Sequence, residues 1–443
     1  MKLPVTLLCL ALSLIIAAQP SSRHTNVKIQ LEEYLKARNV IIPLNASIMV
    51  SKYNEVLIQQ YFGISKVETK QPITAATTFL IASATKPFTA IAIMLLQEKG
   101  KLSLADPITK WLPGVPATWK QITIKHLLSH TSGLPDFIRL KGGASLQPGL
   151  LPLLQMYKGS TLSFTPGSAF AYSNTNYMLL SYVIERSSGM KYEAFVQLQV
   201  FDQLGMKHTG FAYPKAPPTL AQAYNNVFKM DILSNEALAN LAVLKGAGGI
   251  YSNSSDLVLF LNGFSKLLSQ QSMDTMLQPV MSDYALGWHV QQQFGKLTIK
   301  HPGGINGFTM EMRYVPADSM AIVILSNIRF NDLNIRYTAF DMMSILNNKM
   351  PSAELTIPSA YLGKYAIPEA FQSRFKTTFL ELQSQGGKFI LSVAGNVTRF
   401  LIPAEKGRFF FYGEPVDVEF KDAGKLLRIL SPSLGQIDCT KME

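Results

Sequence analysis

Residues 77–100 read "TTFLIASATKPFTAIAIMLLQEKG" and place a serine and a lysine, Ser83 and Lys86, where an apolar helical pattern begins. Positions i and i+3 share one face of a helix, so the Lys86 amine can reach the Ser83 hydroxyl. Pro87 falls near the first turn of the predicted helix, where a missing N–H is tolerated, and Gly100 suits its end. The stretch predicts either a nucleophile with its base or the polar cap of an ordinary helix.

The Ser-x-x-Lys spacing is weak by itself because it recurs in this chain. It occurs three times, as Ser83/Lys86, Ser188/Lys191 and Ser373/Lys376. The second pair belongs to a helix-ending segment and the third precedes a predicted β hairpin, so only Ser83 begins a strongly apolar helix. A lysine in an apolar pocket binds its proton less tightly and can act as a base, and a helix N-terminus favours negative charge on the serine oxygen.

Composition indicates a globular chain with a large core. The 443 residues are 47% hydrophobic and 16% charged, which predicts two or three domains, or a large domain with a small one. The net charge of +12 is dispersed without a dense run of Lys or Arg. A dispersed charge is typical of a solvated surface, so we expect no nucleic-acid partner.

The N-terminal sequence "MKLPVTLLCLALSLIIAAQPSS" predicts export. Its apolar run is short for a membrane span and fits a signal peptide, residues 1–18, cut after Ala18. Because the positive region before the run is weak, an uncleaved anchor is the alternative. Cleavage would remove Cys9 and leave Cys439 without an intramolecular partner. The predicted location is the periplasm, the cell envelope or the secreted fraction.

The pattern of strands and helices predicts three further segments. Residues 27–348 mix strands at both ends with helices and long loops in the middle. Residues 349–358 contain two prolines and are interpreted as a linker. Residues 359–443 alternate short strands with polar turns, which predicts a small antiparallel β domain.

Two further short motifs occur more than once, and only the surrounding segments distinguish the copies. Tyr-x-Asn occurs at Tyr172, Tyr224 and Tyr251, and His-x-Gly occurs at His208 and His301. The segments "SATK", "FTPGSAFAYSNTNY" and "HPGGINGF", in this order, resemble the three active-site elements of the serine penicillin-recognising enzymes. Related families are the class C β-lactamases, the D-alanyl-D-alanine carboxypeptidases, the D-aminopeptidases and related esterases. The resemblance extends over residues 27–348 and includes "ITIKHLLSHTSGLPDF" and "YALGWHV".

The resemblance implies a fold and a set of roles. The fold is α/β (α+β), of the β-lactamase/transpeptidase type: an antiparallel sheet flanked by helices, an inserted helical region, and the small C-terminal β domain. Ser83 would be the acylated nucleophile, with Lys86 and Tyr172 sharing general-base work, the tyrosine as a phenolate or a proton shuttle.

The resemblance also implies residues that hold the substrate. Asn174, His301 and Gly303 would bind it, and the backbone N–H groups of Ser83 and Gly304 would form the oxyanion hole. The third element departs from the Lys-Thr-Gly or Lys-Ser-Gly of many β-lactamases, because His301 replaces a lysine that attracts a substrate carboxylate. An imidazole is mostly neutral near pH 7, so we expect peptidase, D-aminopeptidase or esterase chemistry rather than efficient β-lactam hydrolysis.

The resulting hypothesis is an exported serine hydrolase that acts through an acyl-enzyme on a D-amino acid peptide, a β-lactam or a small ester. The alternative is a penicillin-binding or receptor-type envelope protein that acylates slowly or not at all. The expected partner is a small molecule or peptide, a cell-wall peptide among them, and the oligomeric state stays open. His126 and His130 have the spacing of a zinc helix, but Leu127 replaces the required glutamate, so we expect no metal. No nucleotide-binding loop occurs in the sequence, and we expect no cofactor.

Overall fold

A computed structural model describes residues 22–224, 241–305, 307–328, 332–351, 355, 358–393, 397–405, 407–412, 414 and 416–442 of the chain. The predicted signal peptide, residues 1–18, lies outside the described residues. None of the helices in the described part combines the length and the hydrophobicity that a membrane span requires.

The larger domain is built on a six-stranded antiparallel sheet. The strands before the C-terminal domain are β1 (Ala46–Lys52), β2 (Glu55–Tyr61), β3 (Ile64–Lys66), β4 (Gln71–Pro72), β5 (Phe79–Leu80), β6 (Gly210–Phe211), β7 (Ile250–Ser252), β8 (His289–Gln293), β9 (Lys296–Ile305), β10 (Phe308–Val315) and β11 (Met320–Ser326). The sheet has the order β2-β1-β11-β10-β9-β8. Strands from both ends of the domain therefore form one sheet, which confirms the predicted fold class.

Helices cover both faces of this sheet and fill the region inserted between β5 and β8. They are α1 (Ser22–Ile41), α2 (Lys86–Glu98), α3 (Ile124–Leu128), α4 (Leu150–Met156), α5 (Asn174–Ser188), α6 (Tyr192–Val196), α7 (Asp202–Leu204), α8 (Leu241–Leu244), α9 (Ser254–Gly263), α10 (Gln270–Leu277) and α11 (Asp332–Leu346), and a π-helical segment spans Gln197–Phe201.

The side-chain alternation of β11 explains the two helical layers. Ile322 and Ile324 lie in the cluster formed with α1 and α11, whereas Val323 and Leu325 lie in the cluster formed with the inserted helices. Successive side chains of a strand point to opposite faces, so a strand that is apolar throughout must be covered on both sides.

The stretch that carries Ser83 is the centre of the inserted region. A 3₁₀ turn, Ala82–Thr85, follows β5 and leads directly into α2. The α-helix begins at Lys86 with Thr85 as its cap, so Ser83 belongs to a tighter turn before the helix and not to its cap. Ala82 has a φ of 48°, in the left-handed region that costs a non-glycine residue about 1 kcal/mol or more. Every residue of α2 from Lys86 to Leu96 is buried.

The C-terminal domain is a closed barrel in which consecutive strands pair and β12 returns to β19. Its elements are β12 (Gly363–Ala366), α12 (Glu369–Phe375), β13 (Phe379–Gln385), β14 (Lys388–Val393), β15 (Val397–Glu405), β16 (Arg408–Phe411), β17 (Asp417–Lys421), β18 (Leu426–Ser431) and β19 (Gly435–Lys441). Gly386 and Gly387 form the turn that joins β13 to β14, and both residues have positive φ. Closure pairs each described strand of the barrel on both sides, so the domain presents no open sheet edge to another chain.

Arg38 of α1 joins the barrel to the larger domain. Its side chain is fully buried, its Nε donates to Asn334 Oδ1 of α11 at 3.0 Å, and its Nη1 donates to the Pro403 carbonyl of β15 at 2.8 Å. Beside it, the Tyr337 ring of α11 stacks on Phe410 of β16 with centroids 5.4 Å apart. The barrel is therefore held against α1 and α11.

We expect Arg38→Met to weaken this junction. The substitution keeps most of the side-chain volume but leaves the Pro403 carbonyl without its donor, and an unsatisfied buried acceptor costs about 1–3 kcal/mol. Urea unfolding should show a corresponding loss in the free energy of unfolding. Arg428→Met is the control, because Arg428 pairs with Asp438 on the barrel surface and should change stability little. Equal effects of the two substitutions would contradict the assignment of Arg38 to the junction.

Candidate active site

The three sequence elements that were predicted to form the site converge on one cavity of about 460 Å³. Ser83 comes from the turn before α2, Tyr172 from the loop before α5, and His301 from β9. The remaining lining residues come from β8, β9, β10 and α11: His289, Pro302, Gly303, Gly304, Ile305, Phe308, Thr309, Met310, Glu311, Asp332 and Arg336.

Lys86 lies behind Ser83 and has no exposed surface. Its Nζ donates to Ser83 Oγ at 3.2 Å, to Asn174 Oδ1 at 2.8 Å and to the Ala247 carbonyl at 2.9 Å. These three acceptors satisfy the three N–H groups of an ammonium ion, yet none of them carries a charge. The predicted i, i+3 contact with Ser83 is therefore present.

Burial lowers the pKa of Lys86 to about 7, because the charged form loses its hydration. The carboxylate of Asp136 acts in the opposite direction and raises the pKa. The rings of Tyr172 and Tyr177 lie 4.8 and 5.5 Å from Nζ and also favour the ammonium form. The net result is an amine that loses its proton near neutrality, which an exposed lysine does not do.

Tyr172 stays protonated in this environment. Burial raises the pKa of its phenol well above the ordinary value, although a hydrogen bond with Ser83 lowers it in part. The hydroxyl can therefore pass a proton to or from a neighbour, while the phenolate is disfavoured near pH 7.

Asn174, the first residue of α5, connects Lys86 to a carboxylate. Its Oδ1 accepts from Lys86, and its backbone N–H and Nδ2 both donate to Asp136 Oδ2, at 3.1 and 2.9 Å. Asp136 was not among the predicted site residues, although it lies in the segment "ITIKHLLSHTSGLPDF". The signal for it was the segment as a whole, since a single aspartate in a loop is not distinctive.

His301 is 1% exposed and has protein partners at both ring nitrogens. Nδ1 lies 2.7 Å from the Pro302 carbonyl and must donate to it, which leaves Nε2 to accept from the Tyr284 hydroxyl at 3.3 Å. Burial lowers the pKa of His301 well below its usual value, and the nearby His289 and Lys86 add to this effect. The imidazole is therefore neutral and lends the cavity no positive charge.

His289 is a cavity residue that the sequence reasoning missed. It begins β8 and its Nδ1 lies 3.1 Å from Asp283 Oδ1. Its ring centroid is 5.7 Å from that of His301. It belongs to the quoted segment "YALGWHV", but its position on the cavity wall depends on the pairing of β8 with β9.

The structure accounts for a glycine at position 303 and at position 304 in different ways. A Cβ on Gly303 would lie 2.2 Å from the Ile81 carbonyl oxygen, so the residue lets β9 pass close to the chain before Ser83. A Cβ on Gly304 would meet no atom within 4 Å, and the residue faces the cavity. Since β8 pairs with β9 only up to Lys300, the next residues of β9 form an open edge beside Ser83.

The remaining sequence motifs do not reach the cavity. His126 Nδ1 accepts from the Thr123 backbone in a capping box, and buried His130 accepts from the Ser173 backbone through Nδ1. Ser188 Oγ donates to the Ile184 carbonyl at the end of α5. Among the described residues, no group of three or more His, Cys, Asp or Glu side chains is placed to hold a metal ion.

Known proteins resemble this chain in sequence over most of its length. The family model described as Beta-lactamase matches residues 39–339. Penicillin-binding protein 4* of Bacillus subtilis (strain 168) is 28% identical over 425 residues, which cover 86% of this chain and 91% of that protein. The resemblance inferred from the three active-site elements is thereby confirmed.

Solved structures agree at the level of the fold. The octameric penicillin-binding protein homologue from Pyrococcus abyssi has a TM-score of 0.67 at 22% identity, covering 92% of this chain and 99% of that chain. The D-amino acid amidase from Ochrobactrum anthropi SV3, solved with L-phenylalanine amide, has a TM-score of 0.62 at 24% identity, covering 74% and 99%.

The two glycines predict opposite outcomes for the same substitution. Gly303→Ala should lower the free energy of unfolding by about 1–3 kcal/mol or more, because the added methyl group overlaps the Ile81 carbonyl and the strand must move. Gly304→Ala should unfold like the unsubstituted chain, because the new methyl group enters the open cavity. Chemical denaturation of the two variants measures both, and a Gly303→Ala variant of unchanged stability would contradict the close approach.

Proposed function

The chain belongs to the Beta-lactamase family, whose model matches more than half of its length, and on this premise we propose that it is a serine hydrolase acting through an acyl-enzyme on Ser83. The observation that carries the proposal is the fully buried Lys86, whose Nζ is 3.2 Å from Ser83 Oγ and whose pKa is about 7. Such an amine is unprotonated in a large fraction of molecules at neutral pH and can accept the serine proton.

Acylation follows from the arrangement of these groups. Ser83 Oγ bonds to the substrate carbonyl carbon while the neutral Lys86 amine takes the hydroxyl proton. The bond between the carbonyl carbon and the leaving group then breaks, while Tyr172, as a phenol, donates its proton to the leaving group and regains one from the Lys86 ammonium ion. The backbone N–H groups of Ser83 and Gly304 would stabilise the oxyanion. In deacylation the neutral Lys86 amine takes a proton from a water molecule whose oxygen bonds to the acyl carbon. The bond from this carbon to Ser83 Oγ then breaks, Oγ regains a proton and the acid is released.

The cavity supports an amide, peptide or ester substrate over a β-lactam. A lysine in the third element would attract a substrate carboxylate, whereas His301 is neutral and its nitrogens are bonded within the protein. The fold shared with a D-amino acid amidase makes D-amino acid amides the first substrates to test. A slowly acylating receptor is the second candidate, because several relatives are named penicillin-binding proteins.

Export is part of the proposal and rests on residues 1–18 alone. An apolar run of this length, followed by small and polar residues, is typical of a signal peptide. The proposed locations are the periplasm, the cell envelope or the secreted fraction.

Active-site labelling tests the nucleophile. We expect a fluorophosphonate probe to modify the unsubstituted protein once, at Ser83, and to leave Ser83→Ala unmodified, as measured by mass spectrometry of the intact protein and its peptides. Ser188→Ala is the matched control, because Ser188 has the same spacing to a lysine and should not affect labelling. Equal labelling of Ser83→Ala would refute the assignment.

The same preparations distinguish a hydrolase from a receptor. Turnover of D-amino acid amides, short acyl esters and a chromogenic cephalosporin would be measured with the unsubstituted protein, Ser83→Ala and Ser188→Ala. Multiple turnovers that depend on Ser83 support the hydrolase, with amides or esters preferred to the cephalosporin. Stoichiometric acylation of Ser83 without turnover supports the receptor instead.

The pKa of Lys86 predicts how labelling depends on pH. Below about pH 7 the amine is increasingly protonated, so the second-order labelling rate should fall about tenfold per pH unit once the pH is well below this value. Lys86→Arg should lose labelling at least about 100-fold at all pH values, because a guanidinium keeps its proton. Lys191→Arg is the control, because Lys191 belongs to the second Ser-x-x-Lys pair, Ser188/Lys191, and should not affect labelling. A rate that is constant from pH 5 to 8 would contradict Lys86 as the base.

A further inference from the structure

Asp136 contacts the amide that holds the buried lysine. It lies in the loop between α3 and α4 and is half-buried. Its Oδ1 accepts from the Ile138 backbone at 3.2 Å, which caps the short 3₁₀ turn Phe137–Arg139. Its Oδ2 faces the start of α5 and accepts both N–H groups of Asn174, one from the backbone and one from the side chain.

The contact with the backbone has an ordinary structural purpose. The first N–H groups of a helix have no intrahelical acceptor, and an acidic side chain near them is favourable. Ser173, the residue before α5, makes no side-chain cap of its own. Asp136 therefore caps α5 from a distant loop. Capping alone would not require a second contact, with the side chain of Asn174.

The contact with the side chain does more than cap the helix. The amide of Asn174 has one acceptor end and one donor end, and only its donor end can bond a carboxylate. Because Nδ2 donates to Asp136 at 2.9 Å, Oδ1 must turn toward Lys86, where it accepts from Nζ at 2.8 Å. The reversed amide would bring Nδ2 against the lysine ammonium group and an oxygen against the carboxylate, and both contacts would be repulsive.

We propose that Asp136 is a positioning residue for acylation: by holding Nδ2 of Asn174 it directs the amide oxygen to Lys86 and keeps the lysine amine beside Ser83. The proposal rests on the proposed function, since it concerns the same reaction. Asp136 has no place on the cavity wall and acts through Asn174.

The charge of Asp136 provides a readout that a helix cap would not. The ionisable groups around Lys86 are the rings of Tyr172 and Tyr177, the buried His130 and His301, and the carboxylate of Asp136. Of these, Asp136 is the carboxylate, and its charge stabilises the ammonium form and opposes the effect of burial. Removing its charge should therefore lower the pKa of Lys86 further and move the acidic limb of the rate profile to lower pH.

The experiment measures fluorophosphonate labelling of Ser83 as a function of pH in Asp136→Asn and Asp136→Glu. We expect Asp136→Asn to reduce the plateau rate about 10- to 100-fold, because a catalytic group displaced by about 1 Å can lose 10²-fold, and to shift the acidic limb to lower pH. Asp136→Glu keeps the charge but changes the reach, so its plateau should fall while its acidic limb stays nearer to that of the unsubstituted protein.

A double-mutant cycle with Asn174→Ala separates positioning from other effects. If Asp136 acts through Asn174, Asp136→Asn should change the plateau by less than about twofold when the amide is already absent.

Asp256→Asn is the matched structural control. Asp256 also accepts a backbone N–H and a side-chain donor, from His208 at 2.6 Å and Thr209 at 2.8 Å, away from the cavity. It should lower the unfolding temperature and leave the acidic limb in place.

The outcomes are distinguishable. An Asp136→Asn variant with an unchanged plateau and acidic limb, or with equal losses in the presence and absence of the Asn174 amide, overturns the positioning role. A loss of stability like that of Asp256→Asn, with an unmoved acidic limb, shows a helix cap only and overturns it as well. If the unsubstituted protein is not labelled at Ser83, the proposed function itself fails.

Discussion

The burial of Lys86 is the constraint on which the rest of the site depends. A lysine amine removed from water without a carboxylate in direct contact loses much of its affinity for a proton. The fold compensates with three uncharged acceptors, from Ser83, Asn174 and the backbone at Ala247. A carboxylate in direct contact would keep the amine protonated. Burial of the amine without hydrogen-bond acceptors would cost too much free energy. The lysine is therefore held between these two limits.

Three separate parts of the chain must meet to build that environment. The turn before α2 carries the serine and the lysine, the start of α5 brings the amide, and the turn Lys245–Ala247 provides the carbonyl. The unpaired edge of β9 forms the cavity wall beside Ser83, and Gly303 lets this strand approach the Ile81 carbonyl. The antiparallel sheet therefore holds the cavity in place, and the barrel adds a second layer behind α11 through Arg38.

Much of the fold and of the site was predictable because local rules apply to it. The apolar run of α2 and the short strands of the C-terminal antiparallel domain follow from periodicity and turn residues. The three active-site elements were found through their order and surroundings. Asp136 and His289 were not, because a loop aspartate and a strand histidine have no local pattern that distinguishes them from surface residues. Closure of the barrel likewise depends on β12 meeting β19 across 70 residues or more, beyond any local signal.

The sequence by itself determined the fold class, the family and the three elements that bring Ser83, Tyr172 and His301 to the cavity. Spacing could not separate Ser83/Lys86 from the other two Ser-x-x-Lys pairs, since the same separation occurs on any helix or loop. Only the tertiary structure decided that Lys86 is buried among neutral acceptors, that His301 is neutral with both nitrogens bonded, and that Asp136 reaches Asn174. These properties depend on burial and on the distance between groups far apart in the chain. Both quantities set a pKa, and neither exists before the chain has folded.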